Sequence, residues 1–201
     1  MTPRLAEIVF LIGAVIWFII RIPARRRARK AAVKTSGRGW RETMLMATSL
    51  AGLGIVPFVY IAADFAGAPF RFLSFADRPF VPALAWLGTL AFAASLWLFR
   101  RTHKDLGRNW SVSLDIRESH RLITTGVYGL VRHPMYSAFW LWAIAQALLL
   151  PNWVAGLAGI AGFGMLFFGR VGEEERLMCE AFGEEYRAYM RRTSRVLPGL
   201  Y

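Results

Sequence analysis

The chain has 201 residues, of which 56% are hydrophobic and 14% aromatic, and its formal net charge is +12. Soluble domains of this size are less apolar, so the composition favours a membrane protein. A net positive charge indicates binding to nucleic acid or to an anionic surface. Because the chain also has long apolar runs, we expect its partner to be membrane lipids and not nucleic acid. The single cysteine, Cys179, excludes an internal disulfide and a cysteine-based zinc cluster.

Five apolar runs approach or reach the length of about 20 residues that a membrane-spanning helix needs. They are Leu5–Ile22, Thr43–Ala63, Val81–Phe99, Tyr136–Leu150 and Trp153–Gly169. Only Pro151 and Asn152 separate the last two runs, a turn signal that predicts a helical hairpin. The sequence therefore predicts an all-α integral membrane protein with about five transmembrane helices, the last two a helical hairpin.

The basic residues are distributed unevenly between the two predicted sides of the membrane. They concentrate in residues 21–41, 100–132 and 170–195, whereas the opposite side has only Arg4, Arg71 and Arg78. Loops rich in Lys and Arg stay in the cytoplasm. We therefore expect a multi-pass protein of the cytoplasmic membrane, with its N-terminus outside and its C-terminus and candidate chemistry on the cytoplasmic side.

The second half of the chain contains most of the polar residues that suggest function. The loop Thr102–Val131 is polar, and the tail Gly172–Leu197 has apolar residues at helical spacing, with a break expected at Gly183. This spacing predicts a cytoplasmic C-terminal helix with Glu173–Glu175 in its first turn, where acidic side chains suit the helix dipole. We divide the chain into three N-terminal spans, 1–101, and a cofactor-binding region, 102–201.

Cationic and aromatic residues lie where the fourth run begins. Pro134 is suited to the first position of a helix, and the free N–H groups of that first turn, beside Arg132, suit a carboxylate or phosphate. Tyr128 and Tyr136 could stack on an aromatic base. No metal site is predicted, because the three histidines His103, His120 and His133 do not have the spacing of a helix-face pair.

Four segments in this order resemble the isoprenylcysteine carboxyl methyltransferase family, whose wider kin are membrane phospholipid methyltransferases. They are Leu122–Tyr128, Arg132–Tyr136, Arg170 with Glu173–Glu175, and Phe182–Tyr186. The resemblance covers residues 102 to 198. The sequence from His103 to Gly107, with Asn109 to Ser111, is especially similar to archaeal members.

The resemblance implies S-adenosylmethionine as methyl donor, with S-adenosylhomocysteine as product, bound under the tail helix. It implies that Arg170 and Glu174 are catalytic and that Arg170 contacts a lipid-like methyl acceptor. The residues implied to line the cofactor are Ser113, His120, Arg121, Leu122, Ile123, Tyr128, His133, Pro134, Met135, Tyr136 and Glu174.

The sequence leaves the acceptor and the reaction open between several alternatives. The acceptor is a prenylated cysteine, a phospholipid, another isoprenoid or a small thiol. A carboxylate acceptor is already ionised and needs no base, whereas an amine or alcohol would need one, with Glu173 or His133 as candidates. Other readings are a sterol-type reductase that binds a reduced nicotinamide nucleotide near Arg117 and Arg121, and a membrane module without catalytic activity. The sequence gives no oligomeric state.

Overall fold

The computed structural model describes residues 1–29, 39–67, 69, 71–107 and 122–200, which form a bundle of α-helices. The helices in these ranges are α1 (Pro3–Arg29), α2 (Trp40–Leu50), α3 (Val56–Ala66), α4 (Pro82–Leu106), α5 (Pro134–Leu149), α6 (Trp153–Phe182) and α7 (Glu184–Arg192). Short 3-10 turns lie at Ser74–Ala76 and Gly126–Gly129. The predicted all-α architecture is confirmed.

Four helical segments are long and apolar enough to cross a membrane. They are Pro3–Pro23, Trp40–Ala66, Pro82–Leu106 and Trp153–Phe182, with mean hydropathy between 1.6 and 2.4. The predicted span Tyr136–Leu150 corresponds to α5, which has 16 residues and is therefore shorter than the roughly 20 residues of a complete span. The shortfall is compensated by packing, because α5 lies against α4 and α6 and buries much of its surface there.

The second span combines α2 and α3 through a π-helical turn at Ala51–Ile55. Pro57 follows this turn directly and lacks the N–H that would bond to the carbonyl of Leu53. A π-turn is a common way to accommodate such a missing bond without ending the helix. Pro57 is thus tolerated within the predicted span Thr43–Ala63.

Two glycines let α2 and the π-turn approach α6 at backbone contact distance. A Cβ atom on Gly162 would lie 2.3 Å from the carbonyl oxygen of Thr48, and one on Gly52 would lie 2.2 Å from that of Ala158. Small residues at such crossings allow close helix packing in lipid. The pairing fixes the register between the two helices and brings the first turn of α2 beside residue 170.

The predicted hairpin of the last two runs is confirmed as α5, a tight turn at 150–152, and α6. Asn152 caps α6 by accepting a hydrogen bond from the Ala155 N–H at 2.8 Å. Its amide nitrogen donates to Asp77 Oδ1 at 2.9 Å, so the hairpin turn is tied to the loop before α4. Arg71, in the same loop, bridges Asp77 and Asp64, which lies on α3.

The tail differs from the prediction in one important respect. Glu173–Glu175 do not begin a separate helix, because α6 runs without interruption to Phe182. Gly169 and Gly172 are tolerated inside a helix that tertiary contacts support, and no proline stops it. The predicted break does occur at Gly183, whose φ of +54° lies in the left-handed region that favours glycine.

Candidate active site

The backbone at the start of α5 is held by the tail of the chain. Pro134 is the first residue of the helix, as the sequence predicted. The N–H groups of Arg132 and His133 donate to the carbonyls of Ser194 and Arg195 at 2.8 and 2.9 Å. The segment after α7 therefore runs beside residues 131–133 and fixes the start of α5. We call the end of the bundle at which α5 starts the site end.

Glu174 lies at the centre of the polar groups at this end. Its Oε1 accepts a hydrogen bond from the Tyr136 hydroxyl at 2.7 Å, and the same oxygen lies 2.7 Å from Arg170 Nε. His133 Nδ1 lies 3.6 Å from the other carboxylate oxygen, and the His133 ring stacks on the Tyr136 ring with centroids 5.5 Å apart. Two helices, α5 and α6, thus present one carboxylate among a guanidinium, an imidazole and a phenol.

Arg170 lies between two carboxylates. Besides its contact with Glu174, its Nη1 lies 3.4 Å from Glu42 Oε1 on the first turn of α2. The side chains of Arg170 and Glu42 are only 12% and 14% exposed, so little water screens this pair. Arg41 donates to the carbonyl of Gly169 at 3.1 Å, a second bond between the start of α2 and this turn of α6.

Glu175 lies in a buried cluster of basic side chains and also contacts the His133 ring, whose Nε2 is 3.3 Å from Glu175 Oε1. Arg132 contacts Glu175 Oε1 through Nε at 2.9 Å, and Arg195 contacts Oε2 at 2.6 Å. Arg132 also donates to the carbonyls of Met190 and Thr193. This ion pair is 6% exposed on the Glu175 side and joins α6 to the tail, so its role is to hold the two together.

The 3-10 turn that precedes α5 is anchored to the end of α4. The Val127 N–H donates to Asp105 Oδ2 at 3.0 Å, and a Cβ on Gly126 would lie 2.2 Å from the same oxygen. The Tyr189 hydroxyl donates to the Tyr128 carbonyl at 2.5 Å. Burial raises the pKa of Tyr128 and raises that of Tyr189 to about 12, so both phenols stay protonated near neutral pH.

The structure gathers some of the predicted residues and separates others. His133, Tyr136, Arg170 and Glu174 meet in one cluster, with Pro134 buried and Met135 half-buried at the helix start. Tyr128 lies in the turn under α7, and Leu122 and Ile123 are half-buried just before it. Ser113, His120 and Arg121 lie outside the described residues, as does the motif at Asn109–Ser111.

Sequence reasoning assigned no role to three residues at this end of the bundle, of which Glu42 contacts the cluster directly. Glu42 could not be found, because it lies 128 positions before Arg170 on another helix. Arg195 looked like part of a basic tail, although it pairs with Glu175. Asp105 was included in the resemblance without a role, and an acid placed shortly before a glycine turn was the available signal.

Comparison with known proteins adds to this geometry. Residues 86–180 match the model of the isoprenylcysteine carboxyl methyltransferase family. The matched segment is 95 of the 201 residues, slightly less than half of the chain. Within the matched segment lie α5, the hairpin turn and most of α6, including Arg170 and Glu174.

Individual proteins named protein-S-isoprenylcysteine O-methyltransferase also match part of this chain. Protein-S-isoprenylcysteine O-methyltransferase B of Arabidopsis thaliana is 33% identical over 94 residues, which are 46% of this chain and 48% of the relative. The Homo sapiens protein-S-isoprenylcysteine O-methyltransferase is 34% identical over 90 residues, 45% of this chain and 32% of the relative. The Dictyostelium discoideum protein of the same name is 26% identical over 125 residues, 59% and 51% of the two chains.

The chain thus spans about half the length of the plant and Dictyostelium relatives that it matches, and about a third of the human one. These relatives are eukaryotic, so the special similarity to archaeal members stays a prediction. The division of the chain at residues 101 and 102 also stays a prediction.

Proposed function

We propose that this chain is an integral membrane methyltransferase that uses S-adenosylmethionine to methylate the carboxylate of an isoprenylcysteine-like lipid. The observation that carries the proposal is the meeting of Arg170, Glu174 and Tyr136 at the end of a spanning helix. The names of the relatives support the reaction and the acceptor class. Ionisable residues kept at such a place favour a functional site.

The residues of the site fit a methyl donor that carries both cationic and anionic groups. S-adenosylmethionine supplies a methyl group on a cationic sulfur, and its transfer to a carboxylate oxygen forms one C–O bond and breaks one S–C bond without releasing a proton. Glu174 offers lone pairs to ammonium or ribose hydroxyl groups, and the first turn of α5 offers N–H groups to a carboxylate. His133 and Tyr136 add a pair of stacked rings beside Glu174.

Arg170 is the residue we assign to the acceptor. Its guanidinium has five N–H donors, and the two carboxylates contact only Nε and Nη1, so donors remain for an anionic acceptor. A guanidinium holds a carboxylate at two points, which orients the attacking oxygen in a way that lysine cannot reproduce. Because a carboxylate is already ionised at neutral pH, orientation rather than proton removal supplies the catalysis.

The site end is proposed to face the cytoplasm, since the segments rich in Lys and Arg adjoin it. The acceptor's lipid chain then lies among the exposed apolar side chains of the bundle, such as Phe168 on α6, while its carboxylate reaches Arg170.

The first experiment is calorimetric titration of the purified protein in detergent with S-adenosylhomocysteine. We expect saturable binding to the wild type and at least a tenfold loss in Glu174→Ala, since a charge-assisted contact is removed. Glu173→Ala is the matched control, because Glu173 is 42% exposed and pairs only with Arg176 among the described residues.

Reduced nicotinamide nucleotide serves as the competing ligand in the same titration. Its binding in place of S-adenosylhomocysteine would move the assignment to a reductase. Normal binding of S-adenosylhomocysteine by Glu174→Ala would remove Glu174 from the site.

A further inference from the structure

The contact between Glu42 and Arg170 is not explained by the proposed reaction. Arg170 already has a full counter-charge in Glu174, whose oxygen lies 2.7 Å from Nε. Glu42 adds a second carboxylate, so one cation lies between two anions in a place with little access to water. Such an excess of negative charge is costly unless something compensates for it.

The two carboxylates hold Arg170 with unequal strength. Glu174 is also bound by the Tyr136 hydroxyl and is flanked by His133. Neither carboxylate makes an aligned hydrogen bond to its nearest guanidinium nitrogen within the described residues, but Glu174 Oε1 lies 2.7 Å from Nε, whereas the buried Glu42 Oε1 lies 3.4 Å from Nη1. A buried oxygen left without a hydrogen bond costs free energy, so this contact is the easier one to give up.

The position of Glu42 is nevertheless fixed by the packing of the helices. Gly52 and Gly162 bring α2 and α6 to backbone contact two to three turns away, and Arg41 bonds to the Gly169 carbonyl beside Arg170. The carboxylate is therefore held near the outer nitrogens of the guanidinium. Those nitrogens are the ones that remain for an acceptor, because Nε lies 2.7 Å from Glu174 Oε1.

We propose that Glu42 is a specificity-determining residue of the acceptor site, a carboxylate that pairs with Arg170 in the free protein and is displaced by the carboxylate of the acceptor. The inference rests on the proposed function, because it takes Arg170 as the group that binds the acceptor. Between turnovers Glu42 pairs with the outer nitrogens of Arg170, which Glu174 leaves open, and competes with anionic lipids for them. Only an acceptor whose carboxylate and apolar chain bind together overcomes this competition.

The test compares an acid with its neutral analogue. The dissociation constants of N-acetyl-S-farnesylcysteine and of its carboxamide are measured for the wild type and for Glu42→Gln, which keeps the shape and removes the charge. We expect Glu42→Gln to bind the acid about tenfold more tightly, since a like charge is removed, and the carboxamide equally. In steady-state kinetics the KM for the acid falls, while kcat changes less than about twofold.

Two further variants separate an effect of the Glu42 charge on acceptor affinity from an effect of misfolding. Glu42→Asp keeps the charge and withdraws it from Arg170, so its affinity for the acid should lie between those of the wild type and Glu42→Gln. Glu184→Gln is the matched control, because Glu184 is 74% exposed and pairs with Arg187 on α7. Unchanged binding of S-adenosylhomocysteine checks that each variant is folded.

Two results would overturn the assignment of Glu42. One is an affinity for the acid, relative to the carboxamide, that is the same in Glu42→Gln and in the wild type. The other is a fall in kcat with an unchanged KM, because Glu42 would then only orient Arg170. Failure of the proposed function itself is separate, since it appears as absent binding of S-adenosylhomocysteine and absent methyl transfer in the wild type.

Discussion

Three consecutive glutamates on α6 lie in three different environments. A helix turns by about 100° per residue, so neighbours on the chain point in different directions. Glu173 is exposed beside Arg176, Glu174 contacts Arg170 and Tyr136, and Glu175 is buried with Arg132. The same residue type therefore serves the surface, the candidate site and the attachment of the tail.

Replacing Glu175 should damage stability more than replacing either neighbour. In Glu175→Ala the Arg132 guanidinium, 8% exposed, loses its carboxylate, and such losses of a buried partner cost about 3–5 kcal/mol. Thermal unfolding in detergent measures the effect as a lowered midpoint. Glu173→Ala is the matched control and should unfold like the wild type, because its ion pair is on the surface. Equal midpoints for the two variants would contradict a structural role for Glu175.

For single residues, the sequence predicted which residues are candidates for the site but not which residues contact one another. The resemblance selected Arg170, Glu174, His133 and Tyr136, and the structure brings these four together, although their roles remain proposals. No local pattern could reveal Glu42, because its neighbour in space is 128 positions away. Periodicity likewise could not separate Glu174 from Glu175, since it gives the spacing of residues and not the partners that face them.

Helix packing, not helix formation, sets the positions of the site residues. The apolar runs predicted most helices, and the differences occur at their ends, where α4 continues to Leu106 and α6 to Phe182. The polar residues in those last turns suggested a loop or a tail from the sequence. In the structure they are helical and some are buried, as His103 is against Phe99 on the same helix.

The crossing of α2 and α6 provides a test at the level of these elements. Gly162→Ala would place a methyl group 2.3 Å from the Thr48 carbonyl oxygen, and backbone there cannot yield as a flexible side chain would. We expect a lower unfolding midpoint and weaker coupling of Glu42 to Arg170, with a cost of about 1–3 kcal/mol that is typical of overpacking. Midpoints are measured by thermal scanning in detergent.

Gly172→Ala is the matched control on the same helix. Gly172 has open space around its Cβ position, so alanine should be tolerated and should stabilise the helix slightly. A Gly162→Ala protein as stable as Gly172→Ala would contradict the close crossing.

The molecule as a whole places its two polar clusters at opposite ends of an apolar bundle. One end has the Asp64–Arg71–Asp77 network and the Asn152 cap, and the other has Arg170 with its carboxylates. Between them lie four helices long and apolar enough to cross a membrane. The all-α bundle predicted from the apolar runs is thus confirmed, with four rather than five spans of sufficient length in the described residues, while its orientation in the membrane stays a prediction from the distribution of Lys and Arg.

Reporter fusions in a bacterial host test that orientation. Green fluorescent protein fused to the C-terminus should fluoresce, and alkaline phosphatase at the same position should be inactive, because the basic segments favour the cytoplasm. Alkaline phosphatase inserted in the loop before α4 should be active instead. The reverse pattern would place Arg170 outside and would contradict the proposed access to a cytoplasmic donor.

The uninterrupted length of α6 also has a consequence for the lipids that the proposed site could reach. Arg170 lies 18 residues after Asn152, the cap at the opposite end, which corresponds to about 27 Å of helix. That is nearly the full thickness of the hydrocarbon core, about 30 Å. Arg170 is therefore level with the headgroups of one leaflet only. Under the proposed function, a lipid acceptor inserted in the other leaflet would have to cross the bilayer before its carboxylate could meet this side chain, so the leaflet in which the acceptor is made would become part of the selectivity.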